Sequence, residues 1–523
     1  MATKINDYTK SREWFSRATK VIPSGVYGHL GPAEGNFMPV SSFPLMGDRA
    51  QGTYFWDVDG NRFIDYMCAY GPNVLGYNDP DVDAAAIEQL KKGNCMTSPS
   101  YKMVEFAELM VDTVNCADWA FFAKNGNDVT TAAIMTARNA NHRKKIVFVN
   151  GFYHGVSPWT QKIDYPGVIP EDVANNLYID WNDFDQLQQV FDENPGEIAA
   201  FISTPYMHGN YLDNSLPADG YWKKVRELCT KNGNDVTTAA IMTARAATHR
   251  KKIVFINGYY HGVSPWTQKI DYPGIIPEDV ANNLYIDWND FDQLQKVFDD
   301  NKGEIAAFIS TPYMHGNYLD NSLPAEGYWK KVRELCTANG TVLIVDDVRC
   351  GFRLDLAGSD HHYGFEADLI CFCKALANGY NVSALCGKDF LKGSVSGLSY
   401  TGSYWMSAMP FAAGIACVNK MKALDIPTMF REKGLKLTNG LKEAAANNGF
   451  NMVVSGEPAL FYLRLADDDS LFIHQDWIQE CVKRGIFFAG HHNHFINAAL
   501  TDEDINFTLE VADEAFKAIR PKY

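Results

Sequence analysis

Between residues 117 and 348 the chain alternates short, unbroken apolar runs with stretches of helical period. The run ADWAFFA (117–123) ends in the Gly/Asn turn KNGND (124–128), and DVTTAAIMTAR (128–138) follows with small and apolar residues at helical spacing. KKIVFVNG (144–151), DFDQLQQVF (183–191), EIAAFIST (197–204) and GYWKKVRELC (220–229) then read as strand, helix, strand and helix. The strand runs do not alternate apolar with polar residues, so both of their faces are expected to be buried. Strands alternating with helices in this way predict an α/β fold with a mostly parallel central sheet flanked by helices.

The same pattern occurs twice. Residues 124–230 recur as 231–337, an offset of 107, with about nine differences that include Val149 against Ile256, Phe152 against Tyr259 and Pro195 against Lys302. Most of the exchanges conserve volume and polarity, as expected of two sequences that each had to fold. The period is too long for a solenoid repeat, and two copies do not make an array. The flanks differ: only the first copy follows an apolar strand, and only the second runs into another, ANGTVLIVDDV (338–348). The expectation is that the first copy supplies the turn at 124–128, that the last helix of the second feeds the strand ending at Asp346, and that about 107 residues between them are surplus. The surplus is expected either to form an extra α/β lobe or to exchange with its twin between conformers or subunits.

The 523 residues suggest three domains, but one copy removed leaves about 416, the size of a two-domain enzyme. The net charge of −16 has no like-charged block behind it, which argues against a nucleic-acid or anionic-membrane partner. No apolar run reaches the roughly 18 residues of a membrane span, and MATKINDYTKSREWF has no signal-peptide core. The 11 scattered cysteines fit free thiols, and the expected location is cytoplasmic.

Four motifs could carry chemistry, and each has a plainer alternative. KNGND, opening a helix after a strand, could cradle a phosphate, or Asn127 or Asp128 could simply cap the helix. IVDDVRCGFR (344–353) places acids at the end of an apolar strand, where α/β sheets bind ligands and where caps and ion pairs also occur. Lys374, after the run LICFC, could form a Schiff base or snorkel to the surface. GFYHG (151–155), repeated as GYYHG (258–262), could stack on a planar ligand or pack in the core. Of the remaining clusters, HHNHF (491–495) is read as a polar loop near a site rim rather than a metal tract, and Arg464 as an ion-pair partner of the neighbouring acids.

Taken in order, these motifs resemble the class III aminotransferase family of fold-type-I pyridoxal-phosphate enzymes, closest to its glutamate-1-semialdehyde aminomutase branch. The resemblance also rests on GTYFWDVDGNRFIDYMCAYGPNVLGYNDPDV, TGSYWMSAMPFAAG and TDEDINFTLEVADEAF, and covers nearly the whole chain once one copy is removed. It implies an N-terminal segment (1–64) packing on a smaller α+β domain (421–523), a large cofactor-binding domain (65–420), and a homodimer with shared active sites. By resemblance, Lys374 holds the cofactor as an internal aldimine and shuttles the proton, while Asp346 pairs with the ring nitrogen. Val348 packs on one ring face and Tyr153, followed by His154, on the other. Gly126 and Asn127 bind the phosphate through backbone N–H groups, and Thr401 or Ser403 reaches it across the dimer interface. No metal is implied.

The chain departs from the family at three places. Asn125-Gly126-Asn127 replaces a hydroxyl-bearing phosphate loop, Asp346-Asp347 replaces an Asp-Glu pair, and SGVYGHLGP near His29 lacks the arginine by which the aminomutase branch holds a carboxylate. The expected activity is transfer of an amino group between an amino donor and a keto or aldehyde acceptor. The alternatives are an aminomutase or racemase, and a non-catalytic protein whose site the duplication has disrupted.

Overall fold

The computed structural model describes residues 4–22, 25, 42–44, 46–126, 128–129, 131–132, 145–149, 153–154, 173–179, 198–202, 206–207, 252–256, 260–261, 283–301, 304–315, 322–326, 328–339, 342–396, 402, 404–466, 468, 470–490 and 492–523. They fall into two compact units: one comprises the chain up to Pro80 together with Thr428–Tyr523, the other Asp81–Pro427.

The larger unit is built on a seven-stranded sheet. Its strands, in chain order, are β1 (Trp119–Ala123), β2 (Lys252–Ile256), β3 (Asn283–Ile286), β4 (Ile305–Ser310), β5 (Val342–Asp346), β6 (Leu369–Phe372) and β7 (Ser383–Gly387). They lie side by side as β3-β2-β4-β5-β6-β7-β1, and only β7 runs against the others. Every residue of β3 to β7 is buried, which explains the unbroken apolar runs of the sequence: helices cover both faces of a parallel sheet, so no position needs to be polar. The helix Phe291–Asp300, between β3 and β4, starts where Asp290 accepts the N–H groups of Asp292 and Gln293 at 3.0 and 2.9 Å. The starts of β2 and β4 are tied by a fully buried ion pair between Lys252 and Glu304, with Lys252 also donating to Asn301 Oδ1 at 2.8 Å. Such a pair adds little net stability, but a slipped register would leave two buried charges uncompensated.

The second repeated segment therefore fills three places in this sheet. The described strands of the first segment, Lys145–Val149, Ala174–Ile179 and Ile198–Ile202, form a separate parallel sheet with 145–149 in the middle. Its registers match those of β2 to β4 at an offset of 107: Ile146 faces Asn176 as Ile253 faces Asn283. The two sets lie against each other, with the rings of Tyr178 and Tyr285 stacked at 3.6 Å, and Tyr153–His154 pairs with Tyr260–His261.

Chain connectivity barely favours either segment. Seating the second shortens the link into β5 and lengthens the link from β1 by the same 107 residues, and each loop-closure effect is on the order of 1 kcal/mol. What differs is adjacency. β4 and β5 are neighbours joined through the helix Tyr328–Asn339, a short-range connection, whereas β1 lies at the far edge from β2.

The smaller unit holds an antiparallel hairpin system, Gly47–Gln51, Tyr54–Asp57 and Arg62–Asp65, which is extended by Ile486–Phe487 from the C-terminal part of the chain. A second sheet pairs Met452–Glu457, Leu460–Leu465 and His494–Phe495, and the last helix, Asp502–Ile519, opens with a capping box between Thr501 and Asp504. The histidine tract differs from the expected polar loop. His492 and His494 are buried: His494 Nε2 accepts the Ala489 N–H at 3.1 Å, and His492 Nδ1 lies 2.8 Å from the Asn493 carbonyl. His494 stands in the edge strand of that sheet, and one ring nitrogen of each histidine serves a local backbone group. His491 lies outside the described residues. Arg464 sits on the strand Leu460–Leu465, opposite Val453.

A chain from which residues 124–230 are excised keeps one complete copy and both flanks. It should form the same seven-stranded sheet and melt several degrees above the full-length chain, because one set of apolar strands no longer needs cover. Scanning calorimetry of both proteins checks this, and a shorter chain that melts lower or fails to fold refutes it.

Candidate active site

The site lies in the larger unit, at the C-terminal ends of β5 and β6. These strands are paired, with Asp346 opposite Cys371, and the Asp347 N–H donates to the Cys371 carbonyl at 3.0 Å. Three residues beyond Cys371 the chain turns at Lys374. The pairing thus carries a carboxylate and an amine to the same end of neighbouring strands, the end at which open α/β sheets take ligands.

Asp346 is 4% exposed and accepts the Val348 N–H at 3.2 Å. Burial pushes its carboxyl up to about 7, against the opposing pull of the Val348 N–H, Lys374 and Arg349. Lys374 is partly accessible but surrounded by protein, and burial pushes its amine down to about 7. The Arg349 guanidinium pushes in the same direction, while Cys373, Asp346 and Cys350 oppose it. Near neutral pH a substantial fraction of the amine is therefore unprotonated, as a nucleophile must be. The turn that presents it is fixed from below: Lys374 opens a 3₁₀ turn to Ala377 with φ of +36°, in the left-handed region, and Ala375, Leu376 and Ala377 are buried. That conformation costs a lysine on the order of 1 kcal/mol.

The two acids of the DDV motif have separate tasks. Asp347 turns away from Lys374 and accepts the Ser359 N–H at 3.0 Å and the Ser359 hydroxyl at 2.6 Å. Its carboxyl is raised to about 8, chiefly by burial. Behind it, a Cβ on Gly351 would lie 2.6 Å from the Asp347 carbonyl oxygen and from Phe372, so only glycine lets the turn close over β6.

The third part is the turn after β1. Helical backbone begins at Gly126, and the cap is Asn125, whose Oδ1 accepts the Asp128 N–H at 2.9 Å, while Asp128 Oδ2 accepts the Lys124 N–H at 3.3 Å. The plain capping alternative at Asn127 or Asp128 is thus placed two or three residues too late, because the local pattern starts the helix at Asp128. Gly126 packs on Val348: a Cβ there would lie 2.9 Å from Val348 Cγ1. Its N–H also points to the Cys373 thiol, next to Lys374. The loop from one edge of the sheet thus reaches the β5 turn and the lysine turn.

Of the expected site residues, the structure brings together Lys374, Asp346, Val348 and Gly126. Asn127, Thr401, Ser403 and His29 lie outside the described residues, and Tyr153 and His154 are described only as backbone paired with Tyr260–His261. Arg349 and the Asp347–Ser359 pair were missed by sequence reasoning. The signal for Arg349 was present, a cation inside an otherwise apolar and acidic strand-end motif, but its burial could not be read from the sequence. A cleft of about 350 Å³ borders the loop at Lys124, whose Nζ lies 5.1 Å from the centre of the Tyr404 ring, but neither Lys374 nor Asp346 lines it. Among the described residues, no group of three or more histidine, cysteine or acidic side chains could hold a metal ion.

The arrangement suits pyridoxal phosphate: an unprotonated amine for its aldehyde, a buried acid for its ring nitrogen, and a glycine-opened helix start for its phosphate.

Two substitutions test the geometry. Folded Asp346 binds its proton more tightly than the unfolded chain does, so its ionisation costs stability as pH rises from about 4 to about 7, and the cost is constant above that. The Asp346→Asn apoprotein should therefore match wild type near pH 4 and exceed it by on the order of 4 kcal/mol at pH 8 in urea titrations. A difference independent of pH would show that burial of the charge is not the cause. Gly126→Ala should cost about 1–3 kcal/mol through overpacking on Val348, and Val348→Ala in the same chain should recover most of it. Simple additivity of the two losses in thermal melts would exclude that contact as the cause.

Comparison with known proteins agrees with the geometry. The sequence profile of class III aminotransferases matches residues 37–238 and 232–519. The chain is 31% identical to the aminopentol aminotransferase of Sphingopyxis macrogoltabida over 98% of its own length and 94% of the relative's. It is 24% identical to the 3-aminobutyryl-CoA aminotransferase of Cloacimonas acidaminovorans over 99% of each. Its fold matches the pyridoxal-phosphate internal aldimine form of the FumI protein from Sphingopyxis sp. MTA144 with a TM-score of 0.72 and 30% identity, covering 98% and 97% of the two chains. With a seven-stranded α/β sheet and a strand-end acid and lysine, the chain belongs to the class III aminotransferases, pyridoxal-phosphate-dependent enzymes of fold type I.

Proposed function

We propose that this aminotransferase takes its amino group from a primary amine whose amino-bearing carbon carries no carboxylate, passes it to a keto or aldehyde acceptor, and works as a cytoplasmic homodimer. The observation that carries the catalytic reading is the meeting of Asp346 and Lys374 at the ends of paired strands. The donor class is supported by the relatives: in neither an aminopentol nor a 3-aminobutyryl thioester does the amino-bearing carbon hold a free carboxylate. It also fits SGVYGHLGP, which has no arginine to hold one, and the same absence disfavours the aminomutase reading. Dimerisation is supported by outward apolar side chains on two helices of the larger unit, Ile87, Leu90 and Val104, each at least half exposed. Free thiols at the nine cysteines whose side chains are described fit a reducing compartment. No helix among the described residues is long and apolar enough to cross a membrane.

When bound, pyridoxal phosphate supplies a protonated ring that draws electrons from the carbon bearing the transferred nitrogen. The residues of the chain would do the rest. Asp346, desolvated, would hold the proton at the ring nitrogen. Lys374 would bind the aldehyde carbon at rest and, once displaced by the donor amine, take the proton from the substrate carbon and return it to C4′. Gly126 and Asn127 would present backbone N–H groups to the phosphate, joined by Thr401 or Ser403 across the interface. Val348 would press on one face of the ring, with Tyr153 on the other and His154 beside it.

The purified protein should be yellow and should scatter light with twice the 58.5 kDa mass of the chain. Lys374→Ala should lose the visible band and about 10³-fold or more in kcat. Carbonyl product from a simple amine should appear only when an acceptor is added. Product without acceptor would overturn the transamination reading, and a colourless wild type that cannot be reconstituted would overturn the catalytic one.

A further inference from the structure

The place against β5 does not distinguish the two copies. There β4 pairs with β5, with Ala307 beside Val342 and Ile309 beside Ile344. Other contacts tie the second copy to the chain beyond it. The Trp329 ring stacks on Phe365 at 3.8 Å, Arg333 pairs with Asp368 at 2.9 Å and donates to the Glu366 carbonyl at 2.8 Å, and the Tyr313 ring stands 6.4 Å from that of Tyr363. The first copy carries the same residues 107 positions earlier, as Ala200, Ile202, Trp222, Arg226 and Tyr206. It also repeats the buried set Lys252, Asn301 and Glu304, as Lys145, Asn194 and Glu197. Within the described strands the one exchange is Val149 against Ile256, and β2, which holds Ile256, pairs with β3 and β4 rather than with β5. The second copy alone has the Lys296–Asp300 pair, which lies along one partly exposed helix face. One methylene and one such pair shift the balance between the copies by about tenfold at most.

We propose that the two copies exchange within one chain: the first takes the place of the second against β5, so that the protein folds to two isomers with the same seven-stranded sheet. The alternative occupant is already in position. The strands of the first copy are paired in the matching register, and they lie against the second copy, with the Tyr178 and Tyr285 rings stacked at 3.6 Å. A twin held this close in the same chain competes at an effective concentration that another chain in dilute solution does not reach. The short connection through Tyr328–Asn339 speeds the seating of the second copy more than it stabilises it, so the second copy seats first and the exchanged isomer accumulates afterwards. Exchange is slow, because β4 must leave a sheet in which every one of its residues is buried. Asp346 and Lys374 follow the second copy in the chain and stay in place in both isomers, so the exchange does not depend on the catalytic reading.

The test is disulfide trapping after refolding, read by peptide mass spectrometry and by chain mass on non-reducing gels. Val342→Cys with Ala307→Cys should close at once. Val342→Cys with Ala200→Cys should close more slowly but to a comparable final yield, and at the mass of a single chain. Closure of the first pair without the second overturns the proposal, and so does an Ala200–Val342 link that forms only between two chains. A further variant needs no crosslink and decides the matter if the cysteine variants do not fold. Ile309→Asp puts a carboxylate between buried strands, which a sheet with a single possible occupant does not survive. It should keep a cooperative melt within a few degrees of wild type, because the first copy takes over, whereas Ile202→Asp combined with Ile309→Asp should have none. An Ile309→Asp chain as unfolded as that double variant overturns the proposal.

Discussion

Asp346 and Lys374 are packed in protein at the same end of two hydrogen-bonded strands, and the cost of that desolvation organises the rest of the site. In water the two groups would be oppositely charged near neutral pH, with nothing to distinguish them from a surface ion pair. Buried together, each moves toward about 7 from its own side, so the acid and the amine can change protonation with little driving force against them. The surroundings serve this end. The Asp346–Cys371 register fixes their spacing, Gly351 lets the turn close, and Asp347 is engaged by Ser359 rather than beside the amine. The strained φ at Lys374 is consistent with a residue placed by its neighbours rather than by its own preference.

Much of this was legible in the sequence. The unbroken apolar runs gave β4, β5 and β6, because a strand buried on both faces admits no polar residue, and the repeated DFDQLQ pattern gave the helix that Asp290 caps. Features set by long-range packing were not legible. Asn125 caps the loop helix, rather than Asn127 or Asp128, because the helix starts at Gly126, and that start depends on the fit of Gly126 on Val348, about 220 positions away in the chain. His492 and His494 look like a polar tract in one dimension, yet both are buried, His494 in a strand paired with Leu460–Leu465. The fold class was readable throughout, since it depends only on local periodicity.

The repeated segment shows the limit of local information from another side. Two stretches of nearly identical sequence make the same three-stranded arrangement with the same register, as they must if the pattern of side chains decides strand pairing. Only one can sit against β5, and nothing within either stretch determines which. The outcome depends on how the second copy continues, through the helix Tyr328–Asn339 to the edge of β5 that it reaches.

That division also explains why so large an insertion is compatible with an assembled site. Asp346, Val348, Arg349 and Lys374 all come after the second copy, and Gly126 stands within three residues of the start of the first. The strands contributed by the repeat, β2 to β4, build the floor on which β5 rests rather than the reactive end of β5 and β6. Either copy would provide that floor with strands of nearly the same sequence, Val149 against Ile256 being the exchange within them, so the chemistry tolerates a choice that the fold leaves nearly open. The parts of the site that do lie inside the copies are the segments around Tyr153 and Tyr260. There the two copies run side by side as paired strands, Tyr153–His154 against Tyr260–His261, so the two Tyr-His pairs lie next to each other.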